Sequence, residues 1–307
     1  MPVPSQQLNR TIAVIGYGSL LSGYGLLAER RGGRSRIIAL DAEPVALLNA
    51  RRGLAKPSSH GHYLAMDIEP IDRRAPISAS VAQAGEGDGR DGIGALLLTF
   101  ARESAATIAR REEYDPAAFE RLVALADRAG EELGNFLLRF AREAAFNLLE
   151  YRRALRALLG YTSPGYIFHP APIDDGRVAI VAIGSGYEGS GDPAVRSRRA
   201  ELGIDRLHAL AQALAREMPG HDREGQIGYF AECLLGGVHG IPVADLMGGF
   251  DPSSEWARRL AARFGAAARG ETERFLRATS LDLGRYRERF GAPDPALGPL
   301  LKLAGLG

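Results

Sequence analysis

Runs of apolar residues predict that the first third of the chain is mostly β-structure. Thr11 to Ile15 is a β-branched apolar run that ends at Gly16-Tyr17-Gly18-Ser19, a pattern typical of a buried strand that turns sharply into a loop. Further runs of this kind lie at Pro44 to Leu48, His62 to Ile68 and Gly92 to Phe100. Before the last of them, residues 76–91 are polar, glycine-rich and aperiodic, which predicts an exposed and mobile loop.

The spacing of apolar residues changes to a helical pattern after residue 103. Ala106 and Ile108 begin this spacing, and Asp115-Pro116 is a helix-start signal. From there to about Leu159, apolar residues recur at three- and four-residue steps with charged residues between them. This pattern predicts helices that bury one face in the core.

The last half of the chain returns to strands and then to helices. Tyr166 to Ile173 and Arg177 to Ile183 are strand-like, and residues 184–193 form a second glycine-rich segment. Helical patterns dominate after it, at Leu207 to Arg216, Gly228 to His239, Ser253 to Phe264 and Glu271 to Leu283.

This order of elements predicts an α+β fold, because the steady alternation of strands and helices of a doubly wound fold is missing. We expect a core over residues 1–195 that contains a mixed β-sheet and a helical insertion at about 116–160. A helical C-terminal extension over residues 196–307 is expected to pack on that core.

Composition narrows the classes of function. The 307 residues carry 38 basic and 37 acidic side chains, so a formal charge of +1 provides no field that would attract nucleic acid or an anionic membrane. No stretch approaches the roughly 18 apolar residues of a membrane span, and the N-terminus lacks the features of an export signal. The single cysteine, Cys233, excludes an internal disulfide and cysteine-rich metal sites. We therefore expect a cytoplasmic protein.

The first candidate site is the segment Gly16 to Leu20, directly after the predicted first strand. Its small residues would let several backbone N–H groups converge on an anion such as a carboxylate or a phosphate, although a structural turn explains the pattern equally well. Gly16, Gly18 and Asp41 also match part of a dinucleotide fingerprint, but Leu21 occupies the third glycine position. The glycine segment 184–189 matches the spacing without the acidic residue that should follow.

The second candidate site is the charged segment from Arg110 to Tyr114. Such runs are usually solvated, but a glutamate turned inward at a helix end could be desolvated and act as a base near neutral pH. The residues alone do not choose between Glu112 and Glu113.

Together, the two segments resemble the γ-glutamylcyclotransferase family. Ile15-Gly16-Tyr17-Gly18-Ser19-Leu20 is followed about 90 residues later by Arg111-Glu112. Between them, residues 45–52, 64–70 and 92–100 resemble the family's intervening strands in the same order. The resemblance covers residues 11–114 and, more weakly, residues 166–191. It implies a γ-glutamylcyclotransferase-like mixed sheet or barrel as the core of the α+β fold.

The resemblance also implies residue roles and a reaction. Tyr17, Gly18, Ser19 and Leu20 would hold the glutamyl group through backbone N–H groups, Glu112 would be the general acid and base, and Tyr166 would lie on the substrate side. The reaction would release 5-oxoproline and an amine from a small-molecule γ-glutamyl substrate, without cofactor or metal. The helical insertion and extension depart from the family domain. The identity of the leaving amine is therefore not implied by the resemblance, and the added helices could form a homodimer surface.

Other residues have weaker functional patterns. His60 and His62 are spaced like metal ligands but have no acidic or cysteine partner at a recognisable interval, so we predict a solvated loop and no metal. The remaining histidines, among them His208 and His239, are predicted to be packed or at the surface. Cys233 lies in an apolar helical run where a buried thiol is expected. Two other functions stay open: a non-catalytic binding protein on the same fold, and a nicotinamide-dependent oxidoreductase.

Overall fold

The structure is a computed structural model that describes residues 11–22, 39–57, 64–72, 75, 77–84, 92–111, 117, 120, 166–184, 193–203, 206–217 and 220–307. Its strands are β1 (Thr11–Gly16), β2 (Ala39–Leu48), β3 (Ala50–Pro57), β4 (Leu64–Pro70), β5 (Ser78–Ser80), β6 (Gly92–Ala101), β7 (Tyr166–Pro172) and β8 (Val178–Gly184). The described part is a mixed α+β fold, as the sequence predicted.

Within the described residues, the main sheet has six strands in the order β5-β2-β6-β1-β8-β7 and closes almost into a barrel. β1 is antiparallel to β6, with Gly16 opposite Leu96, and parallel to β8. At the two ends of the sheet, Ala79 forms a parallel bridge with Ile173, and the Asp174 N–H donates to the Ala79 carbonyl at 3.2 Å. The edges of the sheet therefore meet, which protects their backbone groups.

Two strands depart from the sequence prediction. β5 lies inside the segment predicted as an exposed loop, because Ile77 and Ala79 are buried and three residues suffice to extend the sheet beside β2. β3 carries Arg51 and Arg52 and so lacks an apolar run, yet it pairs with β4 in a separate two-stranded ribbon. Tertiary contacts override local composition at both places.

Helices make up the C-terminal part, as predicted. The α-helices are α1 (Ala105–Arg111), α2 (Pro193–Leu202), α3 (Leu207–Glu217), α4 (Arg223–Leu234), α5 (Glu255–Ala268), α6 (Glu271–Thr279), α7 (Leu283–Phe290) and α8 (Gly298–Leu303). The 3₁₀ turns are Ser19–Ser22, Arg102–Ser104, Leu235–His239, Ala244–Met247 and Pro295–Leu297. The predicted helix 271–283 instead ends at Thr279, because Ser280 adopts a left-handed backbone with φ of 56°.

The C-terminal helices share both hydrophobic cores with the sheet. One core joins Val45 and Leu97 of the sheet to Leu210 and Phe230 of α3 and α4. The other covers the opposite face of β1 and includes Phe275 of α6. The extension is therefore built into the core rather than attached to its surface. Within the described ranges, no helix has both the length and the apolar character needed to cross a bilayer.

Candidate functional site

The Tyr17–Leu20 segment turns sharply away from the end of β1. The Tyr17 side chain is buried in the first hydrophobic core, whereas Ser19 and Leu20 are half-buried. The Leu21 N–H donates to the Gly18 carbonyl at 2.9 Å and begins the 3₁₀ turn Ser19–Ser22. The predicted strand and sharp turn are therefore confirmed. Their predicted role in ligand binding stays a prediction.

Glycine is required in this turn by close approach of neighbouring atoms. A Cβ atom at Gly16 would lie 2.6 Å from the Leu20 Cβ, which is closer than real Cβ contacts. At Gly18 it would lie 3.2 Å from the Met66 Cβ and 3.3 Å from the Tyr229 hydroxyl. The turn therefore folds back on β1 and is enclosed by β4 and α4.

We expect Gly16→Ala to destabilise the protein, because the added methyl group forces Leu20 and its turn to move. Overpacking of this kind costs about 1–3 kcal/mol of unfolding free energy. Gly228→Ala is the control, because a Cβ there meets nothing within 4 Å and α4 gains helix propensity. Thermal unfolding should show a lower Tm for the first variant and an equal or higher Tm for the second. Equal Tm values for Gly16→Ala and wild type would contradict the steric argument.

A buried arginine binds the backbone of this turn. Arg52 of β3 is 1% exposed, and its Nε donates to the Tyr17 carbonyl at 3.1 Å. Its Nη2 donates to the Gly94 carbonyl, and its Nη1 donates to Asp245 Oδ1 at 2.5 Å. Three elements that are distant along the chain thus meet on one guanidinium group. Buried charges of this kind require a charged partner and satisfied donors.

Helix α4 closes the other side of the turn. The Met66 N–H donates to the Tyr229 hydroxyl at 2.7 Å, which links β4 to α4 directly beside Gly18. Cys233, one helical turn further on, is fully buried and forms a hydrogen bond with Tyr229. Burial raises the pKa of the Cys233 thiol to about 12. The predicted buried thiol is therefore confirmed.

Several predicted site residues cannot be compared with this geometry. Glu112, the predicted acid and base, and its alternative Glu113 lie outside the described residues, as do His60 and His62. Tyr166 begins β7, but only its main chain belongs to the described part of the molecule. Of the predicted helical insertion, only residues 117 and 120 are described, both helical.

His208 lies buried in an aromatic enclosure. Its Nε2 accepts a hydrogen bond from Trp256 Nε1 at 2.9 Å, so the neutral ring carries its proton on Nδ1, which has no hydrogen-bond partner among the described residues. The rings of Phe230 and Phe250 face it edge-on at 5.4 Å and 5.0 Å between centroids. Burial lowers the pKa of His208 to about 4. The prediction of a packed histidine is confirmed.

Acid should therefore destabilise the protein through His208. Below its ordinary pKa of 6.5 the unfolded chain binds a proton that the folded protein refuses until about pH 4. The free energy of unfolding should fall by about 3 kcal/mol across this window as pH decreases. Urea unfolding at several pH values measures this slope. His208→Gln keeps an acceptor for Trp256 and should flatten it, whereas His221→Gln should not; equal slopes in all three proteins would refute the assignment.

His239 is likewise buried. Its Nδ1 lies 3.1 Å from the Tyr286 hydroxyl and its Nε2 lies 3.3 Å from Glu271 Oε1. Arg274 donates from Nη2 to the other oxygen of Glu271 at 3.0 Å. Burial raises the pKa of Tyr286. The group joins α6, α7 and the turn Leu235–His239 inside the second core, so its arrangement is that of a structural network.

The partial dinucleotide fingerprint gains no support from the topology. In the described sheet, β1 is flanked by β6 and β8, and β2, which carries Asp41, is separated from β1 by β6. Asp41 instead pairs with Arg289 of α7 at 2.5 Å. A dinucleotide site needs the strand that carries the acidic residue to lie parallel and adjacent to the first strand. Among the described residues, no cluster of three or more His, Cys, Asp or Glu side chains could hold a metal ion.

Sequence reasoning missed three residues that shape the turn: Arg52, Tyr229 and Asp245. The arginine pair in β3 was visible only as the end of a family strand, with no sign that one of its members is fully buried. Tyr229 and Asp245 lie in the extension, and no local pattern links them to the turn. Comparisons of the chain with models of known protein families, with curated proteins and with solved structures found no match.

Proposed function

We propose that the protein is a cofactor-free cyclotransferase that converts a γ-glutamyl amine or peptide into 5-oxoproline and the released amine. The observation that carries the proposal is the Tyr17–Leu20 turn, whose backbone is held at the end of β1 by Arg52. Backbone N–H groups held in place by such a turn would suit the α-carboxylate of a glutamyl group. We place this reaction in the cytoplasm and expect no metal or cofactor.

The direction of the peptide groups supports this use of the turn. In a trans peptide the C=O and the following N–H point in opposite directions. Because Arg52 binds the Tyr17 carbonyl, the Gly18 N–H points away from Arg52. The Gly18 carbonyl is bound by the Leu21 N–H inside the turn, so the Ser19 N–H points outward from it. Donors with fixed directions need no reorganisation when an anion binds.

The length of α1 is compatible with Glu112 as the acid and base. β6 ends beside the start of β1, with Ala101 opposite Thr11, so the segment that follows must return along β1 to approach the turn. The 3₁₀ turn Arg102–Ser104 and α1 together extend about 16 Å, and β1 extends about 16 Å from Thr11 to Gly16. Ile108 of α1 packs in the second core, which covers the face of β1 opposite to the first core. Glu112 follows the end of α1 directly.

The proposed chemistry is intramolecular. The substrate's α-amine attacks its own γ-carbonyl, so a new C–N bond closes a five-membered lactam while the original amide C–N bond breaks. Glu112 accepts a proton from the α-ammonium group and then delivers it to the departing amine. The attacking nitrogen loses a second proton as the lactam forms, which Glu112 takes up and passes on in the same way, so that the released amine leaves as an ammonium ion. Holding the chain folded supplies much of the rate enhancement by proximity. Donors of the Tyr17–Leu20 turn would fix the α-carboxylate and so decide which end faces Glu112.

The test is release of 5-oxoproline from a panel of γ-glutamyl compounds by the purified full chain without added cofactor. The panel should contain γ-glutamyl dipeptides, glutathione and γ-glutamyl derivatives of alkylamines and polyamines, with mass spectrometry as readout. We expect cofactor-independent release from one class of leaving amine. Tight binding of a panel compound without turnover would instead support a non-catalytic binding protein. Turnover that depends on a nicotinamide cofactor would overturn the proposal.

A further inference from the structure

Arg52 links the turn to the C-terminal extension through its carboxylate partner. Asp245 lies 193 positions after Arg52, in the 3₁₀ turn Ala244–Met247. The segment that carries it packs directly on the barrel: a Cβ at Gly94 would lie 2.7 Å from Pro242 Cδ. The Val243 N–H is held in turn by Asp294 Oδ2 at 2.5 Å. The counter-charge of a core arginine is therefore supplied by the extension.

The geometry of Arg52 leaves it little freedom. Its planar guanidinium group binds Tyr17, Gly94 and Asp245 with three different nitrogen atoms, so moving any one partner rotates the group relative to the other two. Asp245 Oδ2 is buried and has no hydrogen-bond partner in the part of the chain that the structure describes, so the carboxylate is directed at Arg52 through Oδ1. A change at Asp245 must therefore reach the Tyr17 carbonyl through one rigid group.

We propose that Arg52 and Asp245 form a positioning pair that orients the Tyr17–Gly18 peptide, so that the C-terminal extension sets the affinity of the turn for the substrate carboxylate. The inference deepens the proposed function and rests on it for the identity of the ligand. Neither residue is proposed to contact the reacting atoms of the substrate. Arg52 acts through the direction of the Gly18 N–H, and Asp245 acts through Arg52.

The chain offers a matched control pair. Arg289 of α7 also joins the extension to the barrel, through Asp41 Oδ1 at 2.5 Å and the Ala42 carbonyl. It therefore combines a carboxylate and a backbone carbonyl on one guanidinium group, as Arg52 does. Asp41 lies on β2, and β6 separates β2 from β1 in the sheet. Removing the Arg289–Asp41 ion pair weakens the contact between the extension and the barrel without changing a partner of Tyr17.

The kinetic arm compares Asp245→Asn, Asp245→Glu and Arg289→Met with wild type, using the γ-glutamyl compound that the wild-type enzyme converts best. A carboxylate anchor contributes equally to ground-state and transition-state binding, so its loss raises KM with little change in kcat. We expect KM to rise about tenfold in Asp245→Asn, less in Asp245→Glu, and less than twofold in Arg289→Met. Equal KM values in Asp245→Asn and Arg289→Met would overturn the pair. If Asp245→Asn does not fold, the KM of Asp245→Glu is compared with that of Arg289→Met instead, and equal values again overturn the proposal.

The second arm needs no substrate and separates the inference from the proposed function. Nuclear magnetic resonance of the ¹⁵N-labelled full chain reports the chemical shift and hydrogen exchange of the Gly18 amide in each variant. We expect both to change in the Asp245 variants and to stay at the wild-type values in Arg289→Met. An unchanged Gly18 amide in the Asp245 variants would refute the positioning pair whether or not wild type turns over. If the Gly18 amide changes in the Asp245 variants but the wild-type protein shows no turnover, only the proposed reaction is refuted.

Discussion

Replacing Glu112 with glutamine should lower kcat/KM for 5-oxoproline release by about three orders of magnitude, with little effect on folding. Glutamine keeps the size and polarity of the side chain but cannot accept a proton from the α-ammonium group. The attacking amine would stay protonated, and the leaving amine would receive no proton. One carboxylate performs both transfers, so its loss should impair both bond formation and bond cleavage.

Glu113→Gln is the matched control, because it removes an adjacent carboxylate from the same charged segment. We expect its activity to stay within about threefold of wild type, a much smaller change than the loss of a general acid or base causes. Circular dichroism and thermal unfolding of both variants establish that they are folded. A Glu112→Gln enzyme within about tenfold of wild type would remove Glu112 from the mechanism. A large loss in Glu113→Gln instead would assign the role to its neighbour.

Replacing Arg52 with methionine should lower the free energy of unfolding by about 3–5 kcal/mol, because it leaves the rest of a buried network unpaired. Asp245 would lose its counter-charge, and the carbonyls of Tyr17 and Gly94 would each lose the hydrogen bond that Arg52 donates. Buried acceptors without partners are costly because water cannot replace the lost hydrogen bonds. Urea unfolding monitored by Trp256 fluorescence measures the change.

Arg51→Met provides the control, because Arg51 is its neighbour in β3 but only half-buried. Removal of a cation with access to water should lower the free energy of unfolding by less than about 1 kcal/mol. The double variant Arg52→Met with Asp245→Leu should recover the part of the loss that comes from the orphaned charge of Asp245, whereas the carbonyls of Tyr17 and Gly94 still lack the Arg52 donor. Equal stability of Arg52→Met and Arg51→Met would show that the buried network does not stabilise the protein.

Strands with one simple environment were predictable from sequence. β1, β6 and β8 are central strands of the main sheet, and their continuous apolar runs reflect burial on both faces. β3 and β5 were missed for opposite reasons. β3 contains a fully buried arginine, which local composition assigns to solvent, and β5 is too short to show any periodicity. In both cases long-range pairing determines the structure.

By itself, the sequence determined the α+β class, the buried first strand, the sharp turn at Gly16 to Leu20 and the helical C-terminal part. These features follow from residue periodicity and glycine placement over a few neighbouring positions. Only the tertiary structure decided that Arg52 binds the turn, Gly94 and Asp245, which lie 35, 42 and 193 positions away from it. Contacts at such separations leave no local pattern, because they depend on how the sheet closes and how the extension packs on it.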